Sequence, residues 1–159
     1  MLIAIKNSKI DITSEKSTIE LAEKLTSYFN GGEFIFLYGE MGVGKTTFVK
    51  YFVNKFQTED KLKPIEVTSP TFNLLNEYQI NNIKIKHYDL FRINNRKEIQ
   101  DLDIFEKNKK TITLVEWPQL LENKNKIKSI DLIFTYENEL KNRTVKIKGL
   151  NKFIKNDKF

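Results

Sequence analysis

The 159-residue chain has no cysteine and a single histidine, His87. Disulfides, thiolate zinc sites and cysteine nucleophiles are therefore excluded, as are histidine-rich metal centres and paired-histidine mechanisms. No run approaches the ~18 apolar residues of a membrane span. The opening MLIAIKNSKIDIT is too short and too interrupted to read as a signal peptide, so the expected compartment is the cytoplasm. Arginine is scarce as well: Arg92, Arg96 and Arg143 are the only three among 27 basic residues. The net charge of +6 and pI of about 9.3 thus express a lysine-rich composition more than a nucleic-acid-reading surface. There are only six glycines, so their placement is informative, and Gly39, Gly42 and Gly44 fall in one short window.

What is present fits a single domain. Forty per cent of residues are apolar and 30% charged, and a chain of this size buries roughly 70% of its unfolded surface. Residues 1–150 are expected to form one domain and 151–159 a polar tail, frayed from Asn151. Leu2–Ile5 reads as a short strand. A helix follows from Ser14 or Ser17. Ser17-Thr18-Ile19-Glu20 fits a capping box, and Ile19, Ala22, Leu25, Thr26 and Phe29 give it an apolar face. Asn30-Gly31-Gly32 stops it. Phe34–Tyr38, a continuous apolar run between glycines, predicts a strand buried on both faces. Phe48, Val49, Phe52, Val53 and Phe56 form one stripe of a helix running from Lys45 to about Phe56. Residues 57–64 read as loop and 65–67 as a short strand. Phe72–Ile80 and Ile83–Phe91 read as strands joined at Asn81-Asn82, necessarily antiparallel because a parallel crossover needs about a dozen residues. A short helical stretch around 97–107, a strand Thr111–Val115 ending at Glu116, and a late hairpin of 130–136 with 144–147 complete the pattern.

Residues 39–46, GEMGVGKT, match G-x-x-x-x-G-K-[ST] between a buried strand and an amphipathic helix, the context a phosphate-binding loop requires. Its glycines let backbone N–H groups turn toward phosphate oxygens, and the helix adds its positive N-terminal end. Lys45 is expected on the β- and γ-phosphates and Thr46 on Mg²⁺. Such a loop needs an acid at the end of a neighbouring strand, and Glu116 stands there. Trp117 occupies the place where many ATPases carry a second acid. Alternate residues of a strand share a face, so His87 and Asp89 point the same way. That makes Asp89 a candidate to bind the metal's water or orient the nucleophile, and His87 a candidate to orient Asp89, contact a phosphate or serve structure alone. Thr68-Ser69-Pro70-Thr71 is a hydroxyl-rich turn of the kind that can sense a γ-phosphate.

The blocks GEMGVGKTTF, TSPTFNLLNEY, HYDLFRI and LVEWP, in that order, resemble the TsaE (YjeE) family, bacterial ATPases of tRNA threonylcarbamoyladenosine biosynthesis. The resemblance covers about residues 14–148. It implies an α/β fold of the P-loop NTPase kind, three-layered, with a central, mostly parallel sheet extended by antiparallel strands. It implies ATP and Mg²⁺ as cofactors, with Gly39, Glu40, Met41, Gly42, Val43, Gly44, Lys45, Thr46 and Thr47 around the phosphates and Thr46 with Glu116 on the metal. Lys45, Asp89 and Glu116 would be catalytic. Thr71 would belong to a switch-like loop, Thr18 would approach the nucleotide from the first helix, and Arg143 from the late hairpin. The implied partners are a TsaD–TsaB pair, with tRNA reached through that complex, while TsaC makes the threonylcarbamoyl-adenylate. The modified base lies next to the anticodon. This chain has Leu102-Asp103-Ile104 where such proteins often have a glycine-containing turn.

Other classes are less well matched. The [NT]KxD and DxxG patterns of guanine-specific GTPases do not occur. Small-molecule kinases surround the transferred group with arginines and a lid, and neither stands out. A nucleotide-gated binding module without essential hydrolysis is the remaining alternative.

Overall fold

The structure is a computed structural model that describes residues 9–152. The strand expected at Leu2–Ile5 lies outside the described residues, as does most of the 151–159 tail. Asn151 and Lys152 belong to a short 3₁₀ turn, Leu150–Lys152.

Among the described residues ten α-helices and strands follow one another: β1 (Lys9–Asp11), α1 (Glu15–Thr26), β2 (Phe34–Tyr38), α2 (Lys45–Glu59), β3 (Leu75–Ile80), β4 (Ile83–Asp89), α3 (Arg96–Asp101), β5 (Thr111–Glu116), β6 (Ser129–Glu137) and β7 (Asn142–Lys148). The strands form one sheet in the order β1-β7-β6-β2-β5-β4-β3. Its centre is parallel: β2 pairs with both β5 and β6, and β4 with β5. The flanks are antiparallel, β3 on β4 at one edge and β6-β7-β1 at the other. The expected α/β architecture and the antiparallel pairing of β3 with β4 are both observed, with Asn81 supplying the positive φ (47°) at the turn. Among the described residues, no helix is long and apolar enough to cross a membrane.

β2, an uninterrupted apolar run, is buried at its first four positions, and β5 is buried at all six, Thr111, Thr113 and Glu116 included. Alternation sends Ile35 and Leu37 to one face with Ile85, Leu114 and Leu132, beneath both α1 and α2. Phe34, Phe36, Tyr88 and Val115 face the other way, against Leu90, Ile93, Ile104 and Leu121. Both long helices therefore cover the same face, and the opposite layer is built from short α3 and irregular chain. Phe52 of α2 lies at the centre of the first layer, its ring centroid 5.8 Å from Phe29, 5.8 Å from Phe48 and 5.2 Å from Phe56. Truncating such a ring to alanine costs about 3–5 kcal/mol.

Several local expectations are corrected. Of the two expected starts of α1 the structure takes Ser14, whose Oγ accepts from Ser17 N at 3.1 Å, so the capping box at Ser17 is not the one used. Ser17 lies inside the first turn, because burial of Thr18 with Leu21, Ala22 and Leu25 requires helix before residue 18. α2 runs on to Glu59. Residues 65–67 form no strand: Ile65 N donates instead to Gln57 Oε1 at 3.2 Å. β3 begins at Leu75 rather than Phe72, because Leu74 has φ +66° and its N–H closes a turn on Pro70 O at 2.6 Å. Asp103 itself takes the left-handed conformation (φ +48°) after α3, so an aspartate does there what a glycine would do with less strain.

Candidate active site

Parallel α/β sheets place their sites beyond the carboxyl ends of the strands, and three strand ends converge here. In the register, Leu37 of β2 is opposite Glu116 of β5, and Glu116 is opposite Asp89 of β4. The three residues form a row along the sheet edge from which the 39–44 loop springs. The loop turns through three glycines with positive φ, a conformation that other residues adopt only under strain. Gly39 (φ +141°) would put a Cβ 2.7 Å from Phe134 O, and Gly42 (φ +78°) would put one 3.2 Å from Tyr136 Oη. Gly44 (φ +114°) has open space within 4 Å of its notional Cβ and precedes the first residue of α2.

A cavity of about 400 Å³ lies over the row. The loop and α2 contribute Met41, Gly42, Gly44, Lys45, Thr46 and Thr47 to its wall. Ser69, Thr71, Phe72, Asp89, Phe91, Glu116 and Trp117 complete it. Unpaired N–H groups at a helix start, a lysine and a hydroxyl suit a polyanion. Gly39, Glu40 and Val43 shape the loop without lining this cavity: Val43 is buried in the core, and the carbonyls of Gly39 and Glu40 accept from Lys45 Nζ at 2.6 and 2.8 Å.

Lys45 is only 4% exposed. Burial pushes its ammonium below the ordinary lysine range, and the carboxylates of Glu116, Asp89 and Glu40 oppose that push only in part. Its Nζ also lies 4.4 Å from the centroid of the Trp117 ring. Trp117 adopts φ +57°, a conformation a large side chain holds only when its surroundings impose it. Its N–H still bonds Leu37 O at 3.3 Å, and its ring leans on Phe91 at 5.0 Å.

The acids divide the polar groups between them. Glu116 Oε1 accepts from Thr46 Oγ1 at 2.9 Å and lies 2.8 Å from His87 Nε2. Asp89 Oδ2 accepts from Ser69 Oγ at 3.1 Å and Thr71 Oγ1 at 2.8 Å, and Oδ1 from Phe91 N at 3.0 Å. His87 is thus the partner of Glu116 and not of Asp89, although it shares a strand face with both Asp89 and, through the register, Leu114. Charge-assisted hydrogen bonds of this kind contribute about 1.5–3 kcal/mol each, so both acids are held firmly. Among the described residues no cluster of three or more histidine or acidic side chains could cage a metal. One hydroxyl and one carboxylate instead fit Mg²⁺, which takes few protein ligands and completes its octahedron with water and phosphate oxygens.

Of the residues singled out in the sequence, Met41, Gly42, Gly44, Lys45, Thr46, Thr47, Thr71, Asp89 and Glu116 come together at the cavity. Thr18 and Arg143 do not line it. Thr18 Oγ1 lies 3.5 Å from Ile12 O, and Arg143 donates from Nη2 to Thr13 O at 3.0 Å and from its N–H to Thr13 Oγ1 at 3.0 Å. Both brace the chain between β1 and α1. Arg143 is opposite Tyr136 in the β6–β7 register, and the Tyr136 hydroxyl stands 3.2 Å from where a Cβ on Gly42 would lie. The aromatic wall of Phe72, Phe91 and Trp117 was not foreseen; the only local signal was that Trp117 and Phe91 closely follow the two acids.

A family model described as "Threonylcarbamoyl adenosine biosynthesis protein TsaE" matches residues 12–145. A tRNA threonylcarbamoyladenosine biosynthesis protein TsaE from Rickettsia conorii is 33% identical over 112 residues, 70% of this chain and 62% of the relative. The one from Aquifex aeolicus is 37% identical over 111 residues, 70% of this chain and 77% of the relative. The chain thus spans less than two thirds of the rickettsial relative's length. The crystal structure of Bacillus subtilis YdiB superimposes with a TM-score of 0.66 at 19% identity, covering 96% of this chain and 92% of that one, which establishes likeness of fold.

Proposed function

The chain belongs to the TsaE family of threonylcarbamoyl adenosine biosynthesis proteins, and on that premise we propose that it binds and hydrolyses Mg-ATP in support of a TsaB–TsaD pair. That pair would form N6-threonylcarbamoyladenosine in tRNA, and this chain would meet the tRNA through the complex.

The single observation carrying this reading is the convergence on one cavity of Lys45, Thr46 and Glu116, with Thr46 and Glu116 2.9 Å apart. The N–H groups of the 42–46 stretch would take the phosphates. Lys45 would leave the carbonyls of Gly39 and Glu40 for the β- and γ-phosphate oxygens. Thr46 and Glu116 would hold the metal side, where bound Mg²⁺ supplies charge neutralisation for the leaving diphosphate. Asp89 would hold the Ser69 and Thr71 hydroxyls at the γ-phosphate end, linking nucleotide state to the 69–74 turn. Thr18 and Arg143, which lie outside the cavity wall, would serve the nucleoside end.

The test is calorimetric titration with Mg-ATP, then phosphate release with and without the TsaB–TsaD pair, and co-purification with that pair in ATP. The reading expects ATP binding, slow turnover alone and faster turnover with the pair. Binding without turnover in the complex would leave a nucleotide-gated module, and a phosphorylated small molecule would make the protein a kinase.

A further inference from the structure

The chain's one histidine stands at the site with no role in phosphate binding. His87 is 0% exposed. A carboxylate oxygen only accepts, so the 2.8 Å contact with Glu116 Oε1 is a donation from Nε2–H. Nδ1 has no hydrogen-bond partner among the described residues. The ring's entire polar contribution is therefore directed at Glu116. A histidine kept only to satisfy its own burial would use both nitrogens, and an isoleucine would fill the slot without that requirement, as Ile85 does two residues earlier on the same face.

The same Oε1 also accepts from Thr46 Oγ1. With both donors on one oxygen, Oε2 carries no hydrogen bond from the described residues and stays available at the cavity wall. A glutamate has one more rotatable bond than the aspartate common at such positions, so its carboxylate needs a second anchor to present one oxygen in one direction. Thr46 alone is a poor anchor, since its hydroxyl must also face the metal. Buried and immobile on β4, the imidazole supplies an anchor that does not move with the nucleotide.

We propose that His87 is a positioning residue: its Nε2–H fixes the Glu116 carboxylate so that the metal side of the nucleotide site is preorganised. This rests on the Mg-ATP reading above. Removing partners that orient metal-site ligands commonly weakens metal affinity by about 10–100-fold. The effect should fall on metal-dependent binding and leave metal-free phosphate binding, which uses the loop and Lys45, unchanged.

The experiment measures ATP affinity by calorimetry with Mg²⁺ and with EDTA, and Mn²⁺ binding to the ATP complex by electron paramagnetic resonance. It compares wild type, His87→Leu, His87→Gln and His87→Asn. Gln places an N–H near the Nε2 position; Asn ends near Nδ1 and cannot reach Glu116. The expected result is wild-type affinity in EDTA for all four. His87→Leu and His87→Asn should bind Mn²⁺ about 10-fold more weakly, and His87→Gln should recover most of the loss. If His87→Leu does not fold, the Asn and Gln pair carries the comparison. Unchanged Mn²⁺ affinity in His87→Asn, or an equal loss in His87→Gln, overturns the positioning role while ATP binding stands. A wild-type chain that binds ATP no better with Mg²⁺ than in EDTA overturns the underlying reading and this inference together.

Discussion

Thr46 and Glu116 are 70 residues apart in sequence, and their side chains meet at 2.9 Å. One is the second residue of α2 and the other closes β5, and the parallel pairing of β5 with β2 brings the two elements together. The sheet register therefore also sets the geometry of the proposed metal side.

Glu116→Gln follows directly. The amide keeps the shape but loses the charge that Mg²⁺ requires, and can turn an NH₂ toward Thr46. ATP affinity in EDTA should be unchanged, while Mg²⁺-dependent affinity falls by about 10-fold or more. Some turnover should return at high Mg²⁺ or with Mn²⁺. Metal titrations of ATP binding decide the matter. Thr46→Ala should show the same pattern, because it removes the hydroxyl proposed to face the metal and leaves the proposed phosphate cradle.

Asp89 predicts a different phenotype. Its two oxygens take three donors, from Ser69, Thr71 and the Phe91 N–H. Asp89→Asn should leave nucleotide and metal binding nearly intact. Turnover in the partner complex should fall by about 10²-fold, on the scale of losing an acid–base or orienting group. Amide exchange over 69–74 should quicken in the same variant, as the turn loses its anchor. A metal defect here, with none in Glu116→Gln, would reverse the two assignments.

The parts of this site that could be read in advance are those encoded over a few residues. The glycine spacing of 39–46, the unbroken apolar run of β2 and the five-residue stripe of α2 each carry their own signal, and each falls where expected. What could not be read depends on which strands lie side by side. Ile65-Glu66-Val67 has the composition of a strand but finds no neighbour to pair with. His87 shares a face with Asp89 in any strand, yet its partner is Glu116, because β5 lies between β4 and β2. The Ser17 capping pattern is genuine locally but yields to Ser14, since the core must cover Thr18.

Trp117 is the only tryptophan, and it stacks on the cation that the nucleotide should draw away. Cation–π contacts of this kind are worth about 0.5–2 kcal/mol, small enough for phosphate to displace. Mg-ATP should therefore change the emission of this residue saturably, at the concentration where calorimetry shows binding. Lys45→Met should abolish that response. Emission that ignores a nucleotide known to be bound would show that Lys45 stays on the ring.

Lys45 also predicts a trade between stability and binding. Burial holds its ammonium below the ordinary value of 10.5, and three nearby carboxylates restore only part of the difference. Between the lowered value and 10.5 the unfolded chain holds more protons than the folded one, so stability from this group rises with pH in that alkaline window. At neutral pH the full cost of burying the charge is present. Lys45→Met removes the charge and keeps much of the volume. It should abolish Mg-ATP binding while raising the nucleotide-free Tm, by about 2–4 °C for each kcal/mol relieved in a domain of this size. The gap in Tm between variant and wild type should be widest near pH 7 and narrow as pH approaches 10.5, because the wild type then sheds the same proton. Scanning calorimetry at pH 7 and pH 10 measures both quantities. A variant that melts lower than wild type at pH 7 would mean that the two hydrogen bonds to the Gly39 and Glu40 carbonyls, together with the carboxylates of Glu116, Asp89 and Glu40, favour the ammonium more than burial opposes it.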